Sequence, residues 1–366
     1  MGVIEGEKRQ FMTGNEVVAW AALAAGAKAM FGYPITPQNE IMHYWTRMAP
    51  EYGLKFLQTE DELSAGFATL GGALAGTITF CATAGPGNVL MQEPISMAEM
   101  MRVPAVWVIQ QRGGPSTATV IYSQQETRLT CLGGNGEGLR IVYSTASHQD
   151  MFDYVIKAFW AAWKFRFPAF VLGDGYQAKM REPVTIYDPE GAGVELPVAA
   201  PILKPSGVPS VDREPVHMRN TFNIEEELMD VLMEHIRDYS EMAPQIVESE
   251  KYLCEDAEIL VVAHGIVWRS AKEAVLGLRE RGVSAGAFRP ITLRPFPEDD
   301  LRAAARTAEL IVVAESAYGQ LESMVRDRLY RIQVPIKGIL KPGVGITAEE
   351  IVEGVTQLAE MSRSEG

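Results

Sequence analysis

The chain has 366 residues, 47% of them hydrophobic, and its 33 basic and 47 acidic side chains give a net charge of −14. This length allows two domains with sizeable cores, and the acidic balance argues against nucleic acid or an anionic membrane surface as a partner. No apolar run has transmembrane length, the polar N-terminus is unlike a signal peptide, and the three cysteines form no CxxC motif. We therefore expect a cytoplasmic protein with neither disulfides nor an iron–sulfur cluster of its own.

The first half of the chain alternates helical patterns with short strand-like runs. A helical stretch at 14–28 comes first, and further helices are predicted near 62–75, 88–101 and 148–165. The strand-like runs lie at 29–33, 55–58, 77–82, 105–111, 139–144 and 169–172. Strands that alternate with helices predict a parallel sheet with helices on both faces.

A proline-rich segment separates this unit from a second, smaller one. Seven prolines between residues 183 and 215 interrupt all periodicity, which indicates an extended crossing segment. A charged helix is predicted at about 224–252. Strands are then expected at 258–264, 283–288 and 309–314, and helices at 270–281, 299–307 and 323–330. The predicted domains are thus 1–182 and 254–366, joined by a segment at 183–253.

Residues suited to chemistry follow four predicted strands, and the carboxyl ends of parallel strands are where ligands bind. The first strand is followed by Pro34-Ile35-Thr36-Pro37, in which two prolines restrict the backbone around one hydroxyl. The next three strands are followed in turn by an acidic run at 59–62, by a glycine turn at 83–88, and by Arg112 with two glycines. We expect these groups to share one edge of the sheet.

The acidic run contains one carboxylate without an obvious structural role. Thr59 and Glu62 have the spacing of a helix capping box. Asp61 would lie in the first turn, where the helix dipole favours an anion. Glu60 is therefore the candidate ligand of the run, although Asp61 and Glu62 offer other registers.

Arg112 and the glycine turn each have an ordinary alternative. A guanidinium can grip a carboxylate or phosphate with two parallel hydrogen bonds, and glycines let the backbone approach closely. The alternatives are a solvated loop arginine and a plain strand-to-helix turn at 85–88. The five histidines show no metal-ligand spacing, so no metal site is expected in this chain.

Several motifs resemble those of one enzyme family over residues 10–355. They are GYPITP at 32–37, QRGGPST at 111–117, PVTIY after the Gly-Asp-Gly at 173–175, ITLRPFP at 291–297, and Glu315 with the Gly-Gln-Leu at 319–321. This set resembles the alpha subunit of the 2-oxoacid:ferredoxin oxidoreductases, which act on pyruvate, 2-oxoglutarate or 2-oxoisovalerate. The fold implied is a thiamine-diphosphate pyrimidine-binding domain followed by a transketolase C-terminal-like domain, both α/β.

The resemblance implies a role for each candidate residue. Thr36 would meet the 2-oxo group of the substrate and Arg112 its carboxylate. Glu60 would bond N1′ of the aminopyrimidine, with further cofactor contacts from the residues that line it. Those residues are Tyr33, Pro34 and Gly85. The sequence departs from the family at Gln38-Asn39, where a serine is frequent, and at Ala118, where glycine is common.

The resemblance also implies partners and co-substrates. A beta subunit would share the thiamine diphosphate and carry Mg²⁺ and a 4Fe–4S cluster, with gamma and delta subunits as further candidates. Coenzyme A and ferredoxin would take the acyl group and the electrons. In agreement, Asp174 of the Gly-Asp-Gly has no asparagine at metal-motif distance, since the next one is Asn220.

The substrate and the second domain are less well determined. The loop 116–138 resembles the branched-chain type, and Arg128 and Arg140 are the evident candidates for a second substrate carboxylate, so an apolar or aromatic 2-oxoacid is favoured. The second domain is expected to serve mainly assembly, with Arg289 and Arg294 as candidates for contact with coenzyme A or a partner. Two rival functions stay open: a transketolase-type subunit without electron transfer, and a non-catalytic assembly subunit.

Overall fold

The structure is a computed structural model that describes residue 4 and residues 6–202 and 218–365, so residues 203–217 of the predicted crossing segment lie outside it. In the first unit, the strands are β1 Lys8–Thr13, β2 Ala29–Gly32, β3 Lys55–Gln58, β4 Thr79–Thr83, β5 Val106–Gln111, β6 Ile141–Ser144, β7 Ala169–Asp174 and β8 Arg181–Ile186. The helices are α1 Gly14–Ala24, α2 Asn39–Tyr52, α3 Glu62–Leu74, α4 Pro86–Leu90, α5 Gln92–Met101, α6 Thr127–Leu132, α7 His148–Phe165 and α8 Gly175–Lys179.

The second unit begins after a long helix. Its strands are β9 Ser249–Tyr252, β10 Ile259–Val262, β11 Ala285–Pro290, β12 Thr292–Arg294, β13 Leu310–Glu315 and β14 Ile336–Leu340. The long helix is α9 Glu225–Ile246, and the helices of the second unit are α10 Val267–Glu280, α11 Glu298–Ala304, α12 Gln320–Arg328 and α13 Ala348–Glu365.

The first sheet confirms the predicted α/β fold. Its seven strands run in the order β12-β6-β7-β5-β4-β2-β3, and all neighbours are parallel except β12 with β6. Successive residues of a strand point to opposite faces, so Phe80 and Val106 pack toward α1, α2 and α7, whereas Cys81 and Trp107 pack with α3 and α5. The apolar runs of β4 and β5 are buried throughout because helices cover both faces.

The second sheet has the order β14-β13-β10-β11-β9, with only β9 antiparallel. The two units share an apolar cluster that includes Trp107 and Phe170 from the first and Leu260 and Phe288 from the second. In addition, β12 joins the first sheet, where Thr292 pairs with Tyr143. The second unit is therefore packed firmly against the first.

Several predicted elements differ from those observed. The helix expected at 224–252 ends at Ile246, and residues 249–252 form β9, so that part of the prediction was wrong. The sequence did not reveal β1 and β8, which pair with each other as a two-stranded sheet. In this pair Pro183 lies opposite Phe11, a position that a proline can occupy because the strand is at an edge. Within the described residues, no helix is long and apolar enough to cross a membrane.

An ion-pair cluster between the two units, formed by Glu182 with His148 and Arg269, should make the stability of the protein depend on pH. Burial alone would raise the pKa of Glu182, but hydrogen bonds from His148 and Arg269 outweigh it and lower this pKa to about 2. The backbone nitrogen of His148 donates to Glu182 at 3.0 Å, and Arg269 reaches the other carboxylate oxygen from α10. The stabilisation is present above the ordinary glutamate pKa of about 4.3 and is lost as the pH falls toward 2.

We therefore expect the melting temperature of the wild-type chain to fall more steeply between pH 5 and pH 3 than that of Glu182→Gln. Thermal unfolding followed by circular dichroism at a series of pH values measures this. Equal slopes for the two proteins would show that the Glu182 cluster does not contribute.

Candidate functional site

The four groups singled out by the sequence lie at the carboxyl edge of the first sheet. Strands β3, β2, β4 and β5 are consecutive and parallel, so the segments that follow them emerge at the same edge. At this edge Thr59 donates its backbone N–H to the oxygen of Gly32 at 3.1 Å, which ties the end of β3 to the end of β2.

Arg112 connects three of these segments. Its side chain is buried at 4% exposure. Nη1 donates to the backbone oxygen of Thr36 at 2.8 Å, Nε donates to that of Thr119 at 3.0 Å, and Nη2 donates to that of Thr117. A guanidinium has five N–H donors, so among the described residues these bonds leave two for a ligand. The structure thus brings Arg112 and Thr36 into contact.

Gly85 is where the glycine turn meets this arginine. Its φ is +53°, in the region that favours glycine. A Cβ built on it would lie 2.8 Å from Cδ of Arg112, closer than atoms can approach. Gly85 therefore has a packing reason for its identity: the turn after β4 rests directly on the Arg112 side chain.

The Tyr33–Thr36 segment presents its polar atoms at the surface of the edge. Thr36 and Pro34 are exposed and Tyr33 is half-buried. The Thr36–Pro37 peptide is cis, and Gln38 donates its side-chain amide to the backbone oxygen of Tyr33 at 2.9 Å. The hydroxyl of Thr36 is thus accessible to a ligand beside a buried guanidinium.

The acidic run has a different local structure from the predicted capping box, which was wrong. Thr59 donates its hydroxyl to the backbone oxygen of Asp61 and does not cap α3, so the N-cap lies two residues later than the capping box would place it. Asp61 is the N-cap of α3, and it accepts the N–H of Ser64 at 2.7 Å. Glu60 is exposed and accepts the Ser64 hydroxyl at 2.8 Å.

Glu62 is the buried acid of the run, at 5% exposure. Burial raises its pKa, and the neighbouring Asp61 carboxylate adds to the increase. A Cβ on Gly87 would lie 2.7 Å from Oε1 of Glu62 and would collide with Oγ1 of Thr83. The Thr83 hydroxyl is buried and has no hydrogen-bond partner. The missing side chain of Gly87 thus lets a buried acid and an unpaired hydroxyl pack against its backbone. An acid and a hydroxyl of this kind are chemically suited to the polar edge of a heterocyclic ring such as the aminopyrimidine of thiamine.

Replacing Gly87 by alanine tests how tightly Glu62 and Thr83 pack against the backbone of this glycine. Gly87→Ala should lower the free energy of unfolding by about 1–3 kcal/mol, because the new methyl group overpacks against Glu62 and Thr83. The matched control is Gly71→Ala in α3, where no atom lies within 4 Å of the new Cβ. That change should stabilise by about 0.5–1 kcal/mol. Urea unfolding measures both, and equal effects would contradict the tight fit at Gly87.

Glu126 is a residue of this site that the sequence did not reveal. It is buried, and its Oε1 accepts the N–H of Gly85 at 2.8 Å and the side-chain amide of Asn88 at 3.1 Å. Its Oε2 accepts the N–H of Arg112 at 2.9 Å. Burial raises the pKa of Glu126 to about 7, against the lowering effect of these bonds. Only the fold brings it to the ends of β4 and β5, since these partners are up to 41 positions away in the chain.

Asp174, Arg140, Arg289 and Arg294 each bind another group of this chain. Asp174 caps α8 by accepting the N–H of Gln177 at 2.8 Å. Arg140 is buried against Glu99 and Arg289 against Asp150. Arg294 donates to the backbone oxygen of Gly138 at 2.8 Å. The buried Arg140 is thus poorly placed to bind a distal substrate carboxylate, and the buried Arg289 is poorly placed to contact coenzyme A or a partner. No cluster of potential metal ligands occurs among the described residues.

Comparison with known proteins shows the family to which the chain belongs. Residues 20–251 match the family model described as pyruvate flavodoxin/ferredoxin oxidoreductase, thiamine diphosphate-binding. Residues 257–351 match core domain II of pyruvate:ferredoxin oxidoreductase. Together the two matches define the class, an oxidoreductase chain with a thiamine diphosphate-binding domain. The chain belongs to the pyruvate flavodoxin/ferredoxin oxidoreductase family and corresponds to the alpha subunit of its 2-oxoacid:ferredoxin members.

Individual relatives differ in substrate. The chain is 35% identical to the 2-oxoglutarate synthase subunit KorA of Methanocaldococcus jannaschii, over 86% of this chain and 90% of that one. It is 36% identical to the ketoisovalerate oxidoreductase subunit VorB of Methanothermobacter thermautotrophicus, over 87% and 89%. Both relatives are subunits of larger enzymes.

Solved structures confirm the fold. The 2-oxoglutarate:ferredoxin oxidoreductase from Magnetococcus marinus, solved with 2-oxoglutarate, coenzyme A and succinyl-CoA bound, matches with a TM-score of 0.84 and 26% identity over 95% of this chain. The present chain spans 65% of that chain. An inactive split-gene transketolase matches with a TM-score of 0.59 at 16% identity over 94% of this chain and 97% of that one, which shows the fold alone.

Proposed function

We propose that this chain is the alpha subunit of a cytoplasmic enzyme that oxidatively decarboxylates a 2-oxoacid to an acyl-CoA and passes the electrons to ferredoxin. The observation that carries the proposal is the single edge at which buried Glu62, accessible Thr36 and buried Arg112 emerge from neighbouring parallel strands. Thiamine diphosphate, when bound, would supply the carbon nucleophile and the electron sink that decarboxylation needs.

Among the acids, the geometry favours Glu62 over Glu60 as the partner of the aminopyrimidine. Glu62 is buried and has a raised pKa, so it can share a proton with a ring nitrogen out of contact with water. Glu60 is exposed, and its carboxylate already accepts a bond from Ser64. The original prediction of Glu60 stays untested, and replacing the two acids separately distinguishes them. Tyr33, Pro34 and Gly85 stay candidates for the walls of the cofactor site.

Thr36 and Arg112 would bind the substrate. The Thr36 hydroxyl can donate to the 2-oxo group as negative charge develops on its oxygen, and one such preorganised donor is worth roughly 3–4 kcal/mol. The free N–H groups of Arg112 would hold the carboxylate, with a charge-assisted bond worth about 1.5–3 kcal/mol. Because Arg112 also holds the backbone of Thr36, the two groups keep a set distance from each other.

A beta subunit would complete the site by supplying the diphosphate half, Mg²⁺ and a 4Fe–4S cluster, and gamma and delta subunits could add further centres. Large apolar side chains are exposed on α3 and α4, near the edge where the site lies. They are Leu63, Phe67, Val89 and Leu90. An exposed apolar surface of this kind suits a protein partner, and we propose that the beta subunit packs there.

We propose a branched-chain or other apolar 2-oxoacid as the substrate. Arg112 holds the loop that follows it at Thr117 and Thr119, and the next side chains of that loop are Val120 and Ile121, both partly exposed. Arg140, one candidate for a second substrate carboxylate, is buried against Glu99. The apolar side chains of Val120 and Ile121 would favour 2-oxoisovalerate over 2-oxoglutarate as the substrate.

A substrate panel on the purified multi-subunit complex tests the proposal. We expect viologen reduction that needs both coenzyme A and a 2-oxoacid, with a higher kcat/KM for 2-oxoisovalerate than for 2-oxoglutarate or pyruvate. Preference for 2-oxoglutarate would overturn only the substrate assignment. Carbon–carbon transfer without dye reduction would indicate the transketolase-type alternative, and activity that is unchanged by Arg112→Ala would indicate an assembly subunit.

A further inference from the structure

The second sheet has a crevice of the kind that binds ligands in other α/β proteins. From β10 the chain goes first to β11 on one side and later to β13 on the other side. In such sheets, ligands bind outside the carboxyl ends of the strands at the point where the direction reverses. Here that point is bordered by His264, two residues after β10, and by Ser316, directly after β13.

Gln124, from the first unit, occupies this crevice. Its side-chain Nε2 donates to the backbone oxygen of His264 at 2.8 Å, and its Oε1 accepts the N–H of Ser316 at 2.8 Å. The backbone N–H of Gln124 donates to the oxygen of Ser316 at 2.9 Å. The Gln124 side chain is only 1% exposed. The crevice therefore binds a segment of the first unit.

The next residue, Gln125, is also held by the second unit. Gln320, at the start of α12, donates its side-chain amide to the backbone oxygen of Gln125 at 2.7 Å. The same amide group accepts the N–H of Arg128 at 3.0 Å. Gln125 in turn accepts the N–H of Gly114 at 3.1 Å, two residues beyond Arg112. The second unit thus holds the far end of the loop that begins at Arg112, and Gln125 ties that end to the beginning of the loop.

Glu126 follows directly and connects this anchored segment to the site. Its two carboxylate oxygens accept the N–H groups of Gly85 and Arg112, together with the amide of Asn88. Gly85 in turn packs on the Arg112 side chain. A single buried carboxylate therefore fixes the backbone of the guanidinium-bearing residue and the turn beneath it.

We propose that Glu126 is a positioning residue for Arg112, and that the second unit sets its place by holding Gln124 and Gln125. This inference rests on the proposed role of Arg112 as the group that binds the substrate carboxylate. It gives the second unit a part in substrate binding, in contrast to the assembly role expected from sequence.

Steady-state kinetics of the reconstituted complex test the proposal through Glu126→Gln. Glutamine keeps the shape but has one acceptor oxygen, so one of the two backbone N–H groups loses its partner and Arg112 shifts. We expect the KM for the 2-oxoacid to rise about tenfold or more, with a smaller change in kcat and no change in the KM for coenzyme A.

A second variant acts from the other unit and leaves the buried carboxylate in place. Gln320→Ala removes the contacts to Gln125 and Arg128 from a half-buried helix position. It should raise the KM for the 2-oxoacid several-fold while the melting temperature stays within about 2 °C of wild type, since only two hydrogen bonds are lost. The matched control is Gln245→Ala, an exposed glutamine on α9, which should change neither quantity.

The proposal is overturned if both variants keep the KM of the 2-oxoacid within about twofold of wild type. It is also overturned if kcat and thermal stability fall while the KM values for the 2-oxoacid and for coenzyme A rise together, which is the signature of a purely structural role. A wild-type complex that shows no 2-oxoacid-dependent activity would instead refute the proposed function, and this inference with it.

Discussion

Replacing Glu62 by glutamine should lower kcat/KM of the reconstituted complex by about 10²–10⁴-fold, the usual contribution of a positioned acid or base. The amide keeps the size of the side chain but cannot exchange a proton with the aminopyrimidine. The effect should appear in kcat, with little change in the KM for the 2-oxoacid, since Glu62 does not contact the substrate in the proposed arrangement.

The matched control is Glu60→Gln, two positions earlier and exposed. It removes the same charge from the same run, so a general electrostatic effect would appear in both variants. We expect Glu60→Gln to stay within about twofold of wild type, as is usual for surface substitutions. The reverse order of effects would restore the original prediction of Glu60 and remove Glu62 from the mechanism.

Replacing Arg112 should have an effect of similar size that appears in KM. Arg112→Ala removes the group proposed to bind the carboxylate together with three hydrogen bonds that hold Thr36, Thr117 and Thr119. Arg112→Lys keeps the charge but not the planar fork. We expect kcat/KM for the 2-oxoacid to fall at least 100-fold in both variants.

A control for Arg112 is Arg237→Lys, an exposed arginine on α9, which should leave the kinetics unchanged. The rate of viologen reduction against 2-oxoacid concentration measures all three variants. An Arg112→Lys enzyme with wild-type KM would show that the fork is not used for the substrate carboxylate.

The sequence predicted the layout of the chain well where apolar runs are continuous. Strands β4, β5 and β7 are buried on both faces, so each contains a run of apolar residues that is easily recognised. Strand β9, with the sequence SEKY, lies at a sheet edge and carries charges, so its pattern resembles the end of the preceding helix. This strand lies within the predicted linker, 183–253, and pairs with β11 of the second sheet.

The sequence predicted which groups lie together at the strand ends, but it could not reveal groups that are placed by distant partners. The position of Arg112 beside Thr36 follows from parallel strands whose ends share one edge. The choice between Glu60 and Glu62 depends on which of the two carboxylates points toward the interior. That depends on where α3 begins, because a shift of the N-cap by two residues changes which side chain is buried. The contacts of Gln124 cross up to 192 positions of the chain, so no local pattern could reveal them.

We propose above all that Glu62 meets a coenzyme held between two subunits, and that Thr36 and Arg112 bind the 2-oxoacid beside it. A cryo-EM structure of the complex with thiamine diphosphate and a 2-oxoacid tests it most directly. We predict the Glu62 carboxyl group within hydrogen-bonding distance of the aminopyrimidine ring, and the Arg112 guanidinium on the substrate carboxylate. A coenzyme bound elsewhere, with these three side chains facing solvent, would contradict the account.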